Sequence, residues 1–346
     1  MAGNKNLNSA AKAKNDEFYT QIEDIQRELN CYLEYDKNVF RDKTVLLPCD
    51  DPQFSNFTRF FALNFELYGI KKLISTSYAA NSKKFNMPVQ LSLFERNSPQ
   101  FDPTIDDLHG RIYTLDNESI KTNPYPPEAL QWKYLEGDGD FRSDEVKKLF
   151  AEADIIVTNP PFSLFREFLK QIMDFNKKFL IIANQNCITY KEVFPLIKEN
   201  KIWLGRGFNG SVGFFYSPYE DYAVSSKHKK DMIRISGINW LTNLEHGRRH
   251  QPMILNTMAQ NVKHNKHKTA RENLYKKYDN YDAIEVPFTD LIPEDYDGVI
   301  GVPITFLNRY CPEQFEIIKF RKGNDEKDLS INGKFPYFRI LIRHRR

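Results

Sequence analysis

"ADIIVTNPPFSLFREFL", residues 153–169, runs from an apolar segment through an abrupt stop into a helix-like repeat. Ile155, Ile156 and Val157 follow one another without alternation, which predicts a parallel strand covered on both faces. Phe165, Phe168, Leu169 and Ile172 then recur at helical spacing and predict one apolar face. A buried strand that feeds a helix within a few residues is half of a βαβ unit, and open parallel sheets bind ligands at the carboxyl ends of such strands. The tetrapeptide Asn159-Pro160-Pro161-Phe162 falls at that end.

Pro160 and Pro161 fix their own φ, restrict the residue before each and contribute carbonyls without amide donors. The result is a stiff row of acceptors. The side-chain oxygen of Asn159 and the carbonyl of Pro160 can accept both hydrogens of a planar exocyclic amino group, while Phe162 lies against the attached heterocycle. Drawing those hydrogens out of the ring plane localises the nitrogen lone pair. Preorganised acceptors and proximity, rather than a strong base, then lower the barrier to its attack on an electrophile. A bare Pro-Pro pair does no more than end a strand. Asn and an aromatic residue framing the pair, directly after a buried strand, favour the chemical reading.

Upstream, "KTVLLPCDDPQFSNF" (residues 43–57) predicts a strand at 44–47 that breaks into a loop of Pro, Asp, Ser and Asn. Phe57, Phe60, Phe61, Leu63, Phe65 and Leu67 wind round a helix ended by Gly69, and "KKLISTSY" (71–78) is the next strand. Together they form a βαβ unit of an open parallel sheet, with "PCDDP" (48–52) at its ligand-binding edge. Ile22, Ile25, Leu29 and Leu33 predict an earlier helix over about 24–35. Residues 79–131 are polar and Pro-rich and read as an excursion at the sheet edge. "YLEGDGDFRSDEVKKLF" (134–150) gives a short strand, a turn and a helix, and "KFLIIANQN" (178–186) a further buried strand. Four or five parallel strands with crossover helices are thus placed by about residue 190, so the fold class is α/β. Beyond Lys201, short aromatic segments punctuated by Gly predict antiparallel strands that return to the sheet edge or form a lobe of their own.

The 346 residues are 41% hydrophobic and 14% aromatic, a globular composition, and the formal net charge of +3 does not by itself demand a polyanionic partner. The distribution of charge says more. Residues 227–277 and the final "ILIRHRR" interleave Lys, Arg and His with aromatic and amide side chains, a pattern that suits phosphates and base edges as well as a merely solvated surface. Within it, "HGRRH" (246–250) and "HNKH" (264–267) lack Cys or carboxylate partners at ligand spacing, so phosphate contacts by Arg248, Arg249, Lys263 and Lys266 are favoured over a metal site. "GFFYSP" (213–218) offers a ring that could stack on an extruded base, although strand aromatics more often serve the core. Cys31, Cys49, Cys187 and Cys311 lie far apart with no CxxC pair, which fits a reducing cytoplasm. No apolar run approaches the roughly 18 residues of a membrane span. The polar first dozen residues, without the apolar core of a signal peptide, predict a frayed N-terminus.

The Asn-Pro-Pro-Phe tetrapeptide matches the [DNS]PP[YFW] signature of S-adenosyl-L-methionine-dependent amino-group methyltransferases. "AKNDEFYTQIEDIQREL", "CDDPQFSNF", "GDGDFRS", "TNPPFSLFREFL", "NWLTNLEH", "GVPITFLNRYCPEQFEI" and "FRILIR" make the likeness narrower. Over about residues 14–343 the chain resembles the EcoRI-type adenine-specific DNA methyltransferase family.

That resemblance implies a Rossmann-like class I methyltransferase sheet with an aromatic and basic C-terminal target-recognition region. The implied division is a disordered 1–13, a cofactor-binding and catalytic 14–200, and a DNA-recognition region over 201–346 that partly returns to the sheet. It implies S-adenosyl-L-methionine as cofactor and Asn159, Pro160, Pro161 and Phe162 as the catalytic residues. Phe18 and Tyr19 would close over the cofactor's methionine part, and Cys49, Asp50 and Asp51 would form its loop, with one of the two aspartates facing the amino group or ribose. This loop lacks the glycines of the general FxGxG pattern, a departure that EcoRI-type enzymes share. Thr76, Ser77 and Tyr78 stand where an acidic ribose ligand is usual. Asp140, ahead of Asp138, would accept from the cofactor's adenine and Phe141 would pack on its ring; a calcium loop fails here because Arg142 sits at the third ligand position and no Glu at the twelfth.

The implied substrate is double-stranded DNA with the target adenine flipped out, at a site such as GAATTC shared with a restriction endonuclease that forms no stable complex with it. A monomer without metal or membrane is expected. Two rival readings are the same chemistry on RNA or a protein glutamine, disfavoured by the missing glycine-rich loop and the basic C-terminal half, and a DNA-binding relative without catalysis, disfavoured by the intact Asn159 and Asp140.

Overall fold

A computed structural model describes residues 19–52, 55–79, 105, 108–122, 132–208, 211–216, 232–267, 274–321, 329–334 and 338–345. In chain order its strands are β1 (Tyr19–Thr20), β2 (Thr44–Leu47), β3 (Lys72–Thr76), β4 (Arg111–Asp116), β5 (Lys133–Tyr134), β6 (Ile155–Thr158), β7 (Lys178–Asn184) and β8 (Trp203–Leu204). They continue as β9 (Val212–Tyr216), β10 (Ile233–Ser236), β11 (Ile238–Thr242), β12 (Ile284–Glu285), β13 (Ile300–Val302), β14 (Phe315–Arg321) and β15 (Arg339–His344). The chain divides into two units, Met1–Gln185 with Gly205–Leu244, and Asn186–Leu204 with Glu245–Arg346.

In the first unit the sheet order is β5-β4-β3-β2-β6-β7-β11. The four strands β3, β2, β6 and β7 are parallel, and β2 and β6 are buried along their whole length, as their unbroken apolar runs require. β11 returns antiparallel to β7, pairing Ile238 with Asn184 through Thr242 with Leu180. The connecting helices bury the predicted faces: Phe57, Phe60 and Phe61 from Asn56–Leu63, and Phe165, Phe168, Leu169 and Ile172 from Phe165–Asp174. Asn64 breaks the first of these before a short helix, Phe65–Tyr68, which Gly69 ends in the left-handed region at φ 62°. The helix predicted near residue 24 begins at Ile22 and ends at Tyr35.

Two sequence expectations change. The strand expected in "YLEG" is β5, which runs antiparallel to β4, so the parallel set numbers four. β4 lies inside residues 79–131, which had read as an excursion, and is antiparallel to β3. Its residues alternate between buried Tyr113 and Leu115 and exposed Thr114, the pattern of a half-covered sheet flank. Most of the remainder of that excursion lies outside the described residues. A small antiparallel sheet, β1-β9-β10, completes this unit, so segments on both sides of residue 200 build it.

The second unit carries a four-stranded sheet in the order β12-β13-β15-β14. Glu285 and Arg339 are buried in it as an ion pair, Arg339 Nη2 donating to Glu285 Oε1 at 2.5 Å, and the Tyr278 hydroxyl donates to the same carboxylate. Among the described residues no helix is long and apolar enough to cross a membrane.

Candidate active site

The chain leaves β2 for β3 on one side and later returns to β6 on the other, so the connection order reverses between β2 and β6. Ligands of open α/β sheets bind at such a reversal. Backbone pairing across it covers only Val45 with Ile155 and Leu46 with Ile156, whereas β6 pairs with β7 as far as Thr158 and Ile181. The two strand ends that carry "PCDD" and "NPPF" therefore emerge side by side.

A side-chain network joins them. Asp50 is 5% exposed; its Oδ1 accepts from Ser55 Oγ at 2.6 Å and its Oδ2 from Thr158 Oγ1 at 2.5 Å. Ser55 also accepts from Phe57 N and so caps the helix Asn56–Leu63. Burial pushes the Asp50 carboxyl up to about 7 although the two hydroxyls favour its charged form, and neighbouring Asp51 adds to the rise. Asp51 instead meets Arg111 Nη1 at 3.2 Å, and that guanidinium lies 4.7 Å over the ring of Trp132. Of the two aspartates left open by the sequence, Asp50 is thus turned into the strand ends and Asp51 toward β4. Cys49 is half-buried and in no disulfide.

Asn159 is half-buried and Pro160 buried. Pro161, at φ −59°, opens the turn Phe162–Leu164 and accepts from Leu164 N at 3.0 Å, so its carbonyl serves the turn. Phe162 packs partly buried against the main core.

The "GDGDF" segment is fastened from two sides. Ala79 N donates to Asp138 O at 2.7 Å and Gly110 N to Gly137 O at 2.9 Å. Gly139 has φ 77°, and a methyl there would collide with the Ser77 carbonyl. On the other side, Gln171 Nε2 donates to Phe141 O at 2.7 Å, and the buried Phe141 ring meets Phe168 edge-on at 5.1 Å. Arg142 Nη2 donates to Asp140 Oδ2 at 2.6 Å and Nη1 to Glu167 Oε2 at 3.0 Å. Burial opposes the charge of Asp140, but the Arg142 guanidinium and backbone amide outweigh it and hold the carboxyl below its ordinary value. Gln171, Phe168 and Glu167 all belong to the helix that follows Asn159–Phe162, so this segment and that tetrapeptide share one support.

β1 pairs Tyr19 with Tyr216 and Thr20 with Phe215, and Asn56 Nδ2 donates to Thr20 O at 2.8 Å, which brings the backbone of the N-terminal segment to the start of the helix Asn56–Leu63. Phe18 lies outside the described residues. From "GFFYSP", Phe215 is fully buried and belongs to the core. Glu28, 1% exposed, accepts from Arg206 N at 2.8 Å, Gly207 N at 2.9 Å and the Tyr32 hydroxyl at 2.8 Å, fixing the loop that leads to β9.

In the second unit Arg248, Lys263 and Lys266 are exposed, whereas Arg249 is 8% exposed. Its guanidinium lies 3.9 Å over Trp203, paired with Glu245 at 2.8 Å and with Asn200 Oδ1 at 2.8 Å. A phosphate contact by Arg249 is therefore not what this position offers; it braces its own unit. His250 bridges Glu245 and Glu313, and His267 stacks on Phe288 at 3.9 Å beside Asp290.

The sequence reading missed Ser55, Thr158, Arg111, Arg142 and Gln171. Thr158 carried a signal, a hydroxyl closing an otherwise apolar buried strand directly before Asn159. Arg111 carried none, since β4 itself had not been foreseen. As a whole, this sheet edge gathers the Asp140 carboxylate, held by Arg142, glycine backbone in close approach at Gly110 and Gly139, and the β2 loop beside the Asn159–Phe162 turn.

Comparison with known proteins gives one family, described as adenine-specific methyltransferase EcoRI, matching residues 6–345. The Type II methyltransferase M.EcoRI of Escherichia coli is 48% identical over 350 residues, covering 100% of this chain and 98% of that protein. M.MgeORF184P of Mycoplasma genitalium is 35% identical over 360 residues (97% of this chain, 98% of that protein), and M.MpnI of Mycoplasma pneumoniae 33% over 363 residues (98% of each). No solved structure gives a significant match.

Proposed function

The chain belongs to the EcoRI family of adenine-specific methyltransferases, and from that membership we propose that it methylates N6 of adenine in double-stranded DNA with S-adenosyl-L-methionine as methyl donor. The observation that carries the site assignment is the 2.5 Å bond from Thr158 to Asp50, which binds the cofactor-loop strand to the strand that leads into Asn159.

When bound, the cofactor supplies an electrophilic sulfonium methyl. The protein's task is to hold the nucleophile. Asn159 Oδ1 and the Pro160 carbonyl accept the two amino hydrogens of adenine, and Phe162 lies against its ring. Both acceptors sit on backbone that proline cannot relax, so little reorganisation accompanies the reaction. Because that amine lies inside a duplex, the base must leave the stack before it reaches the turn. Asp140 and the loop at Cys49 and Asp51 hold the cofactor, with Phe18 and Tyr19 closing over its methionine end. Arg248, Lys263 and Lys266 neutralise backbone phosphates.

The proposed site is GAATTC, protected against an endonuclease that acts separately. The monomer is proposed to work in the cytoplasm, in keeping with four cysteines none of which is in a disulfide. Sequencing modified adenines in DNA from cells expressing the chain tests this directly. Methylated adenine at a single palindrome is expected; unmodified adenine throughout, or label transferred only to RNA or protein, would refute it.

A further inference from the structure

The β2/β6 backbone ladder stops at Leu46 and Ile156, short of both strand ends. The cofactor loop and the Asn159 turn are thus not held to each other by the sheet. What crosses the gap is Asp50. Its amide donates to Thr76 O at 3.0 Å and its carbonyl accepts from Ser75 Oγ at 2.5 Å, while Ser75 Oγ also bonds Thr58 Oγ1 at 2.7 Å. The main chain at residue 50 is thereby anchored to β3, and through Ser75 to the helix Asn56–Leu63. Its carboxylate then reaches sideways, Oδ1 to the helix cap Ser55 and Oδ2 to Thr158, the residue immediately before Asn159.

We infer that Asp50 and Thr158 form a positioning bracket that sets the spacing between the cofactor loop and the amine-holding carbonyls, Asp50 acting through Thr158 rather than by touching cofactor or base. This rests on the proposed function. The physical grounds are threefold. A buried carboxylate is costly to place and is kept where hydrogen bonds fix it. Both of its oxygens face hydroxyl donors, so the side chain is held in one orientation. Transfer between two bound groups is sensitive to separation, and a displacement of about 1 Å costs on the order of a hundredfold in rate.

Thr158→Val removes the hydroxyl and keeps the shape. It is expected to lower kcat for adenine methylation by about tenfold or more and to weaken S-adenosyl-L-methionine binding several-fold, with DNA affinity unchanged, measured well below its melting temperature. Thr158→Ser, which restores the donor, should recover both to within about threefold. Asp50→Ala approaches the same bracket from its other end and covers the case of a Thr158→Val chain that does not fold. The double variant should be no worse than the more affected single one, because one coupled element is removed in either case. A role confined to stability would lower the melting temperature and leave kcat and cofactor affinity alone. Thr158→Val with wild-type kcat and cofactor affinity, or losses that multiply in the double variant, overturns the bracket. A wild-type chain that neither binds the cofactor nor methylates adenine removes the underlying function instead.

Discussion

In the proposed mechanism Asn159 faces the substrate, whereas Asp50 faces inward, its carboxylate bonded to Ser55 and Thr158. Asn159→Ala removes one preorganised acceptor, so turnover should fall by about two orders of magnitude or more while DNA binding persists; near-normal single-turnover rates would take Asn159 out of the mechanism. For Asp50 the measurable signature is a pH dependence of stability. Its folded carboxyl titrates at about 7, above the ordinary 3.8, because of burial, so the folded chain binds this proton more tightly than the unfolded chain does. The stability that the neutral form contributes is present below about 3.8 and is lost as pH rises toward about 7, by at most about 1.4 kcal/mol per pH unit. An Asp50→Asn chain, which has no charge to bury, should therefore gain in melting temperature over the wild type between pH 5 and pH 8. Parallel melting curves would contradict that origin of the shift. The role of Asp50 was not legible beforehand: the sequence offers two adjacent aspartates, and only the contact with Thr158, 108 positions away, tells them apart.

Strands and helices were more legible than contacts, for a physical reason. β2 and β6 are continuous apolar runs and could be little else, and the helix Phe165–Asp174 declares its buried face by spacing. β4 was hidden because a half-covered strand alternates Tyr113 and Leu115 with polar neighbours inside a long polar stretch. That strand nevertheless positions the "GDGDF" segment, because Gly110, just ahead of it, and Gly139 both pack against the Ser77 carbonyl. Gly139→Ala should be damaging on two counts, a positive φ of 77° and a methyl driven into backbone. The expected result is cofactor affinity weaker by about ten- to a hundredfold, from a backbone cost of about 1–3 kcal/mol, with DNA affinity much less affected. Calorimetric titration with S-adenosyl-L-methionine decides it; unchanged affinity would mean that the segment does not line the cofactor site.

Across the full chain the tracing of segments departs most from a reading along the sequence. Residues 186–204 belong with the C-terminal unit and 205–244 with the first, so the two units are interleaved along the chain. Charge follows the same lesson. In "HGRRH" two neighbouring arginines look equivalent, yet Arg248 is exposed while Arg249 is enclosed by Trp203, Glu245 and Asn200. A net charge of +3 therefore understates what one surface can present and overstates what each basic residue contributes. Salt titration separates the two kinds. Each phosphate neutralised adds about 0.9 to the slope of log affinity against log salt concentration. Lys263→Gln should flatten that slope by nearly one unit and weaken binding to all DNA sequences alike. Arg249→Gln should leave the slope unchanged and lower the melting temperature, since it breaks a partly buried ion pair and the stacking on Trp203. If instead the Arg249 variant flattens the slope and the Lys263 variant does not, the exposed phosphate-binding face has been placed on the wrong side of this unit.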